Sequence, residues 1–282
     1  MVQLGRLVGC CSEVAAKLPV VWRGLALLLI AVSTAGCGPM PVPSSAGKDI
    51  VTNSDESPTH KRARVRLELA AAYYQQGKLR PALDEVKQSI SVDSSIPDAY
   101  NLRGLIYDAL GDDDLSEASF RRALQLDSKG AGTMHNYGWF LCQRKRYDEA
   151  DAMFAAALVV PQYRNLSQTA LVRGACFSRQ GKLGEAEKSL MRAYEIDAGN
   201  PTIAVNLAEV LYRKGDYERA RFYVRRVNSS QETANPESLW LAAKIEYRMG
   251  NAQGVKDYGN QLITRFPSSQ EASSFEAGRF NE

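Results

Sequence analysis

The sequence predicts an all-α fold, a right-handed superhelical solenoid of about six helix-turn-helix repeats. A small residue recurs with spacings of 34, 34, 36, 34 and 35 residues, and glycine recurs seven residues later in the same frame. No part of this region alternates polar and apolar residues over the length of a strand. A fixed period of this size indicates a stack of similar helical units. The recurring small residues are Ala70, Gly104, Gly138, Gly174, Ala208 and Ala243.

A period of 34 residues is typical of the tetratricopeptide repeat (TPR), in which helix A and helix B are joined by a tight turn. Glycine adopts the left-handed backbone of such a turn without strain. It occurs at every expected turn except one, where Lys145 takes its place. The turn residues are Gly77, Gly111, Lys145, Gly181, Gly215 and Gly250.

The same frame predicts how the two helices of a repeat pack. Five residues after the turn, helix B carries Ala82, Ser116, Ala150, Ala186, Ala220 and Val255. Four residues further it carries the apolar side chains Val86, Phe120, Phe154, Leu190 and Val224. The sixth repeat departs from the pattern, with Gly259 at the apolar position of helix B and Glu246 at an apolar position of helix A. Terminal repeats of a solenoid are often atypical because they cap the stack.

The array is predicted over residues 63–269. Pro97, Pro201 and Pro236 each open a repeat at a helix start, where the missing N–H of proline costs little. The phrase Lys-Arg-Tyr-Asp-Glu-Ala at 145–150 fixes the register of the third repeat. The predicted repeats are 63–96, 97–130, 131–166, 167–200, 201–235 and 236–269, followed by a C-terminal tail at 270–282.

The N-terminus predicts a signal peptide of the lipoprotein type over residues 1–36. The uncharged apolar run at 24–32 follows basic residues and precedes small ones, and it is shorter than the about 20 residues that cross a bilayer. The segment 33–37, Ser-Thr-Ala-Gly-Cys, resembles the lipobox of bacterial lipoproteins, although Thr34 stands where leucine is usual. The resemblance implies cleavage before Cys37 and diacylglycerol on its thiol. An ordinary signal peptide with an incidental cysteine is the alternative.

Residues 37–62 are predicted to be the lipidated cysteine and a flexible tether, because Pro, Ser, Gly and Asp dominate and no apolar period is present. Gly38 follows the cysteine, whereas Asp at this place usually marks inner-membrane retention in lipoproteins of Gram-negative bacteria. The resemblance therefore implies an anchor in the outer membrane, with the repeats on its periplasmic face.

Charge and motifs argue against several functions. The 35 basic side chains oppose 32 acidic ones, so the chain lacks the basic field that nucleic acid binding needs. Neither His60 nor His135 belongs to a metal-binding or catalytic motif, no glycine-rich phosphate loop occurs, and the acidic run at 112–114 fits a helix cap. We expect no catalytic residue, no metal, no cofactor, no nucleic acid and no small-molecule substrate.

The five cysteines do not form a recognisable disulfide or zinc framework. Cys142 and Cys176 lie late in the A helices of the third and fourth repeats, at the twelfth and tenth repeat positions. They could pair in an oxidising periplasm. We favour two small buried residues, because free cysteine is commonly buried.

Positions two, five, nine and twelve of helix A are predicted to face the concave groove of the superhelix. A mixed groove with an aromatic centre suits an extended peptide or a partner helix, and Trp and Tyr are enriched in binding hot spots. The alternative for Trp139 is packing between helices without partner contact. The predicted groove residues are Asn101, Leu105, Asp108, His135, Trp139, Leu171, Ala175, Val205, Glu209 and Tyr212.

The lipobox, the tether, the six repeats and the segment 136–141, Asn-Tyr-Gly-Trp-Phe-Leu, together resemble the PilF/PilW family of type IV pilus biogenesis lipoproteins. The resemblance covers about residues 25–270. It implies a pilotin, which binds secretin subunits in the periplasm and promotes their outer-membrane insertion and assembly. Two alternatives remain open. One is another outer-membrane TPR lipoprotein, an adaptor for peptidoglycan enzymes or for outer-membrane protein assembly, and the other is an enzyme with an unrecognised active site.

Overall fold

The computed structural model describes residues 55–281, which contain thirteen α-helices and no β-strand. The predicted signal peptide, Cys37 and most of the tether lie outside these residues. No helix within 55–281 is long and apolar enough to cross a membrane. The helices are α1 (Pro58–Gln75), α2 (Leu79–Val92), α3 (Pro97–Leu110), α4 (Asp113–Leu126), α5 (Ala131–Gln143), α6 (Tyr147–Leu158), α7 (Leu166–Gln180), α8 (Leu183–Ile196), α9 (Pro201–Lys214), α10 (Tyr217–Asn228), α11 (Pro236–Arg248), α12 (Ala252–Arg265) and α13 (Gln270–Glu276).

The first twelve helices form six A/B pairs, as the repeat frame predicts. Each odd-numbered helix up to α11 packs against the even-numbered helix that follows it, and each A helix also contacts the A helix of the next repeat. Within residues 55–281, successive B helices do not approach one another in this way. The A helices are therefore the more closely spaced layer, which places them on the concave side of the solenoid. We call these helices the inner layer.

The inter-helix turns adopt the predicted left-handed backbone. The φ angles are 80° at Gly111, 82° at Gly181 and 81° at Gly215, and Lys145 adopts 60°. At this turn the Lys145 N–H donates to the Cys142 carbonyl at 3.0 Å and the Arg146 N–H donates to the Leu141 carbonyl at 3.0 Å. The prediction that Lys145 replaces glycine at an equivalent turn is confirmed.

The predicted contacts between helices A and B are also confirmed. A Cβ atom on Gly138 would lie 2.8 Å from the Phe154 ring, and one on Gly174 would lie 2.6 Å from the Leu190 side chain. Phe154 and Leu190 are fully buried. Glycine at the small position thus lets a large side chain of helix B rest directly on the backbone of helix A.

The array begins earlier than predicted. Helix α1 begins at Pro58, so residues 58–62, which the sequence assigned to the tether, are helical. The Ser57 hydroxyl accepts a hydrogen bond from the His60 N–H at 3.1 Å and caps this helix, and proline suits the first helical position. Residues 58–62 are polar and show no apolar period, so nothing in the sequence indicated that they are helical.

The array also ends later than predicted, because α13 lies within the predicted tail and completes the sixth repeat. A Cβ atom on Gly259 would lie 1.8 Å from the Phe275 ring. Phe275 of α13 therefore fills the space that helix B leaves empty. The other irregular residue, Glu246, is 1% exposed and accepts hydrogen bonds from Arg221 Nε at 2.8 Å and Asn251 Nδ2 at 2.7 Å. Its buried charge is thereby compensated.

Cys142 and Cys176 form a disulfide that joins α5 to α7, with 6.0 Å between their Cα atoms. Both are buried, as expected, but the interpretation as free cysteines is wrong. Their sequence separation is 34 residues, and His135 contacts Thr169 across the same two helices at the same separation. Because the small residues of these repeats are 36 residues apart, facing residues occupy repeat positions that differ by two. Comparison of repeat positions alone therefore concealed the pairing.

Candidate partner-binding surface

The predicted groove residues lie on the A helices α3, α5, α7 and α9, but not all of them are exposed. Leu171 and Val205 are only 6% and 8% exposed and pack within the core of the fourth and fifth repeats. They contribute packing and offer little surface to a partner. The partly exposed members are Asn101, Leu105, Asp108, His135, Trp139, Ala175, Glu209 and Tyr212.

In the N-terminal half of the groove, polar side chains bond to one another across repeats. The Asn136 amide donates to Asn101 Oδ1 at 3.0 Å. Arg144 donates to Asp108 Oδ1 at 2.8 Å and also pairs with Asp113. These contacts hold the second and third repeats together, so Asn101 and Asp108 position the inner layer in addition to facing the groove.

His135 serves as a neutral contact between repeats. Its Nδ1 lies 2.8 Å from Thr169 Oγ1, and its ring meets Phe154 edge to face. Burial lowers the pKa of His135, which favours the uncharged ring. Among residues 55–281, no group of three His, Cys, Asp or Glu side chains could hold a metal ion.

Trp139 lies between the core and the groove. One side of it packs against the buried cluster around Phe140 and Phe154. The Arg179 guanidinium lies 4.7 Å from the ring centroid, and Arg179 is exposed. Trp139 therefore packs between helices and also presents a partly exposed aromatic face with a cation above it. Its contact with a partner stays a prediction.

Tyr212 is the aromatic groove residue of the fifth repeat, at position twelve of α9. Its ring lies 5.7 Å from that of Tyr217, and Lys244 Nζ lies 5.4 Å from its centroid. Burial is the main cause of its raised pKa. The Tyr212 phenol therefore stays protonated, and the ring acts as an apolar surface next to a cation.

A second aromatic cluster, which the sequence analysis did not identify, lies on the sixth repeat. Trp240, Lys244 and Tyr247 occupy positions five, nine and twelve of α11, and Phe280 lies against Trp240 and Tyr247. The repeat frame could have identified these positions. The repeat departs from the frame at Glu246 and Gly259, which lie in its core and not on this face.

The first repeat carries another apolar surface that the sequence analysis missed. Val65 and Leu69 of α1 are 53% and 41% exposed. They lie four residues apart and line a surface cleft of about 960 Å³ together with Pro58 and Val92. The cleft is rimmed by charged side chains of α1 and by Glu85.

Comparison with known proteins agrees with the repeat frame. Tetratricopeptide repeat models match residues 97–129, 131–160 and 178–245. The type IV pilus assembly protein PilF of Pseudomonas aeruginosa is 26% identical over 261 residues, covering 90% of this chain and 98% of that protein. An uncharacterized protein of Haemophilus influenzae is 28% identical over 155 residues, covering 52% of this chain and 83% of its own length.

Solved structures lead to the same group of proteins. The crystal structure of PilW, described as a widely conserved type IV pilus biogenesis factor, is 31% identical with a TM-score of 0.70, covering 76% of this chain and 98% of PilW. Pseudomonas aeruginosa PilF is 24% identical with a TM-score of 0.69, covering 79% and 100%. The TPR protein YrrB shares the fold at 17% identity and a TM-score of 0.56, covering 68% and 97%. This chain belongs to the PilF/PilW family of TPR proteins, whose named members are type IV pilus assembly and biogenesis factors.

Proposed function

We propose that this protein is a lipid-anchored scaffold of the outer membrane that binds secretin subunits of the type IV pilus and promotes their outer-membrane localisation and multimerisation. The main support is the correspondence with PilF and PilW, each of which is matched over 98% of its own length. A scaffold acts through its surface, and the match spans the repeat array that carries this surface.

The inner layer has a surface chemistry that suits a polypeptide partner. Arg179 lies over Trp139, Lys244 lies over Tyr212, and Arg248 Nε donates to the Tyr217 hydroxyl at 3.0 Å. Aromatic faces contribute apolar contact area, and adjacent cations attract carboxylates. The groove therefore fits an extended segment that carries apolar and acidic side chains.

The disulfide supports a periplasmic location for the repeats. Structural disulfides persist in oxidising compartments such as the bacterial periplasm, whereas the cytosol keeps thiols reduced. The Cys142–Cys176 bond joins two helices of the inner layer. An exported protein can keep this bond, and export is also what the predicted signal peptide implies.

Membrane fractionation tests the proposed anchor at Cys37. Acyl chains contribute about 0.8 kcal/mol per buried methylene, so several chains make release negligible. Cys37→Ser should release the protein into the periplasm and reduce or mislocalise secretin multimers. Cys11→Ser, within the predicted signal peptide, is the matched control and should not alter fractionation. Outer-membrane retention of Cys37→Ser would exclude the lipid anchor.

Binding to secretin tests the groove. Trp139→Ala should weaken binding of the secretin periplasmic region by at least about 2 kcal/mol, roughly thirtyfold, if the ring is a hot spot. Truncation of a core tryptophan would instead lower folding stability by about 3–5 kcal/mol. Affinity by calorimetry and the melting temperature should therefore be measured on the same sample. Wild-type affinity in a stable variant would remove Trp139 from the binding surface.

A further inference from the structure

The exposed face of α11 carries an aromatic site at the C-terminal end of the inner layer. Trp240, Lys244 and Tyr247 are spaced four and three residues apart and therefore share one face of the helix. Residues on the other side of α11, such as Leu239 and Ile245, are fully buried in the core. The site faces away from the core of the repeat.

The chain's own Phe280 occupies this site. Its ring stacks on Tyr247 with 4.6 Å between the centroids and an interplanar angle of 12°. It also lies 5.1 Å from the Trp240 ring at a tilt of 39°. Offset and tilted contacts at these distances are favourable arrangements for aromatic pairs. They recognise a ring as such, so any aromatic side chain that enters the site could make the same contacts.

Phe280 is attached to the array differently from the rest of the C-terminal segment. Helix α13 is anchored by Ala272, which is 1% exposed, and by Phe275, which fills the space above Gly259. After α13 the backbone turns at Gly278, with φ of 67°, and the Arg279 N–H donates to the Ser274 carbonyl at 2.9 Å. Phe280 comes after this turn. Its ring meets the Phe275 ring edge to face at 5.8 Å, so departure of Phe280 would uncover one edge of Phe275 but would leave Phe275 over Gly259 and Ala272 buried.

Both rings of the stack are only partly covered. Tyr247 is 46% exposed even with Phe280 stacked on it, and Phe280 is itself partly exposed. Because the free energy of burial scales with the area removed from water, a partly exposed ring such as Phe280 is held more weakly than a fully buried core phenylalanine. Phe280 thus has the properties of a replaceable occupant.

The site is continuous with the predicted groove. Lys244 Nζ lies 5.9 Å from the Trp240 centroid and 5.4 Å from the Tyr212 centroid. This one side chain therefore connects the aromatic site of the sixth repeat to the groove of the fifth. An extended segment lying along the inner layer past Tyr212 would next meet Trp240 and Tyr247.

We propose that Trp240, Lys244 and Tyr247 form a binding site for an aromatic side chain of a partner polypeptide, and that Phe280 competes for this site within the same molecule. The partner is the one that the proposed function supplies, so this inference deepens that function. The preference of the site for an aromatic ring is supported independently by the Phe280 contacts. The C-terminal residues act as an internal competitor that a partner must displace.

A peptide that reproduces the natural occupant provides the test. The probe is the blocked hexapeptide Ala-Gly-Arg-Phe-Asn-Glu, residues 277–282, and the readout is the NMR signal of the Trp240 indole N–H in the full mature chain, with Trp139→Phe used for assignment. In Phe280→Ala, addition of the peptide should shift the Trp240 indole signal until binding is saturated. The wild type should bind about tenfold more weakly, because a ring on a short tether competes at an effective concentration in the millimolar range.

Controls separate the site from general effects. Phe222 on α10 is 57% exposed, and Phe222→Ala should bind the peptide like the wild type. A peptide with Ala in place of Phe should give no shift, and Trp240→Ala in the Phe280→Ala chain should abolish binding, read from the Lys244 signals. A chain that ends at Gly278 vacates the site in a second way and should bind like Phe280→Ala.

Several results would overturn the proposal. One is equal peptide affinity in Phe280→Ala and the wild type, and another is no shift in a vacated variant that melts like the wild type. Unfolding of both vacated variants would also overturn it, because Phe280 would then belong to the core. The periplasmic region of the secretin is titrated into the same variants in parallel, with the same NMR readout. Peptide binding without any secretin binding would support the aromatic site while removing the proposed secretin function.

Discussion

Replacement of Gly138 tests the contact on which the repeat frame depends. A Cβ atom at this position would lie 2.8 Å from a ring carbon of Phe154, a separation that real Cβ atoms essentially never show. Phe154 is fully buried and cannot move into solvent. Gly138→Ala should therefore force the ring or helix α6 to shift, at a cost of about 1–3 kcal/mol from overpacking.

A second glycine of the same helix provides the matched control. Gly132 also lies in α5, and a Cβ atom there would meet nothing within 4 Å. Ala is favoured over Gly in a helix by up to about 1 kcal/mol, so Gly132→Ala should be neutral or stabilising. The helix-propensity gain is smaller for Gly132, in the first turn of α5, than for Gly138 in its middle. The difference in their free energies of unfolding is therefore a lower limit on the cost of overpacking at Gly138.

Thermal melts followed by circular dichroism measure this difference. For a protein of this length, 1 kcal/mol changes the Tm by roughly 2–4 °C. Gly138→Ala should therefore melt roughly 2–12 °C below Gly132→Ala, given the overpacking cost above. Equal melting temperatures would mean that the Gly138–Phe154 contact is not tight and that the packing register of the third repeat is different.

Three further changes have expected outcomes. Lys145→Gly should raise the Tm, since a non-glycine residue in the left-handed region costs roughly 1–2 kcal/mol and φ at Lys145 is 60°; an unchanged or lower Tm would contradict this. Cys142→Ser should lower the free energy of unfolding by about 3–4 kcal/mol, the chain-entropy value for a loop of this length, and dithiothreitol should then have no further effect on the melt. The Arg146 hydrogen bond is the main cause that lowers the pKa of Glu117 from 4.5 to about 2. The ionised Glu117 carboxylate therefore stabilises the fold fully above pH 4.5, and this stabilisation is lost as the pH falls towards 2. It contributes at most about 3 kcal/mol to the free energy of unfolding. Glu117→Gln should therefore flatten the dependence of Tm on pH between 5 and 2.

The sequence predicted the repeat register well because the register depends on side-chain size. Glycine at position eight and phenylalanine or leucine on helix B form one steric unit, and the unit repeats along the chain. The left-handed turn at Lys145 was predicted from the frame as well, because the five equivalent turns carry glycine. A local rule that recurs can be read from one sequence.

Features that depend on relations outside the frame could not be predicted. Gly259 indicates a missing side chain, but nothing in the repeat pattern points to Phe275, which comes from beyond the sixth repeat. The Cys142–Cys176 pair depends on how α5 and α7 are offset along their axes. Likewise Leu171 has a groove position in the sequence and is buried in the structure, because the depth of a side chain depends on the neighbouring helix as well as on its own place in the repeat.

The contacts that build the array differ in strength from those that line its inner face. Phe154 and Leu190 are fully buried and hold two helices of one repeat together, and truncation of such residues costs several kcal/mol. The Trp139–Arg179 contact instead joins successive repeats through an exposed cation, and such contacts contribute about 0.5–1 kcal/mol. A partner carboxylate could draw Arg179 away from the ring at little cost to folding. If the proposed groove binds a partner, Arg179 can therefore exchange its contact with Trp139 for a partner contact while the buried residues keep the solenoid intact.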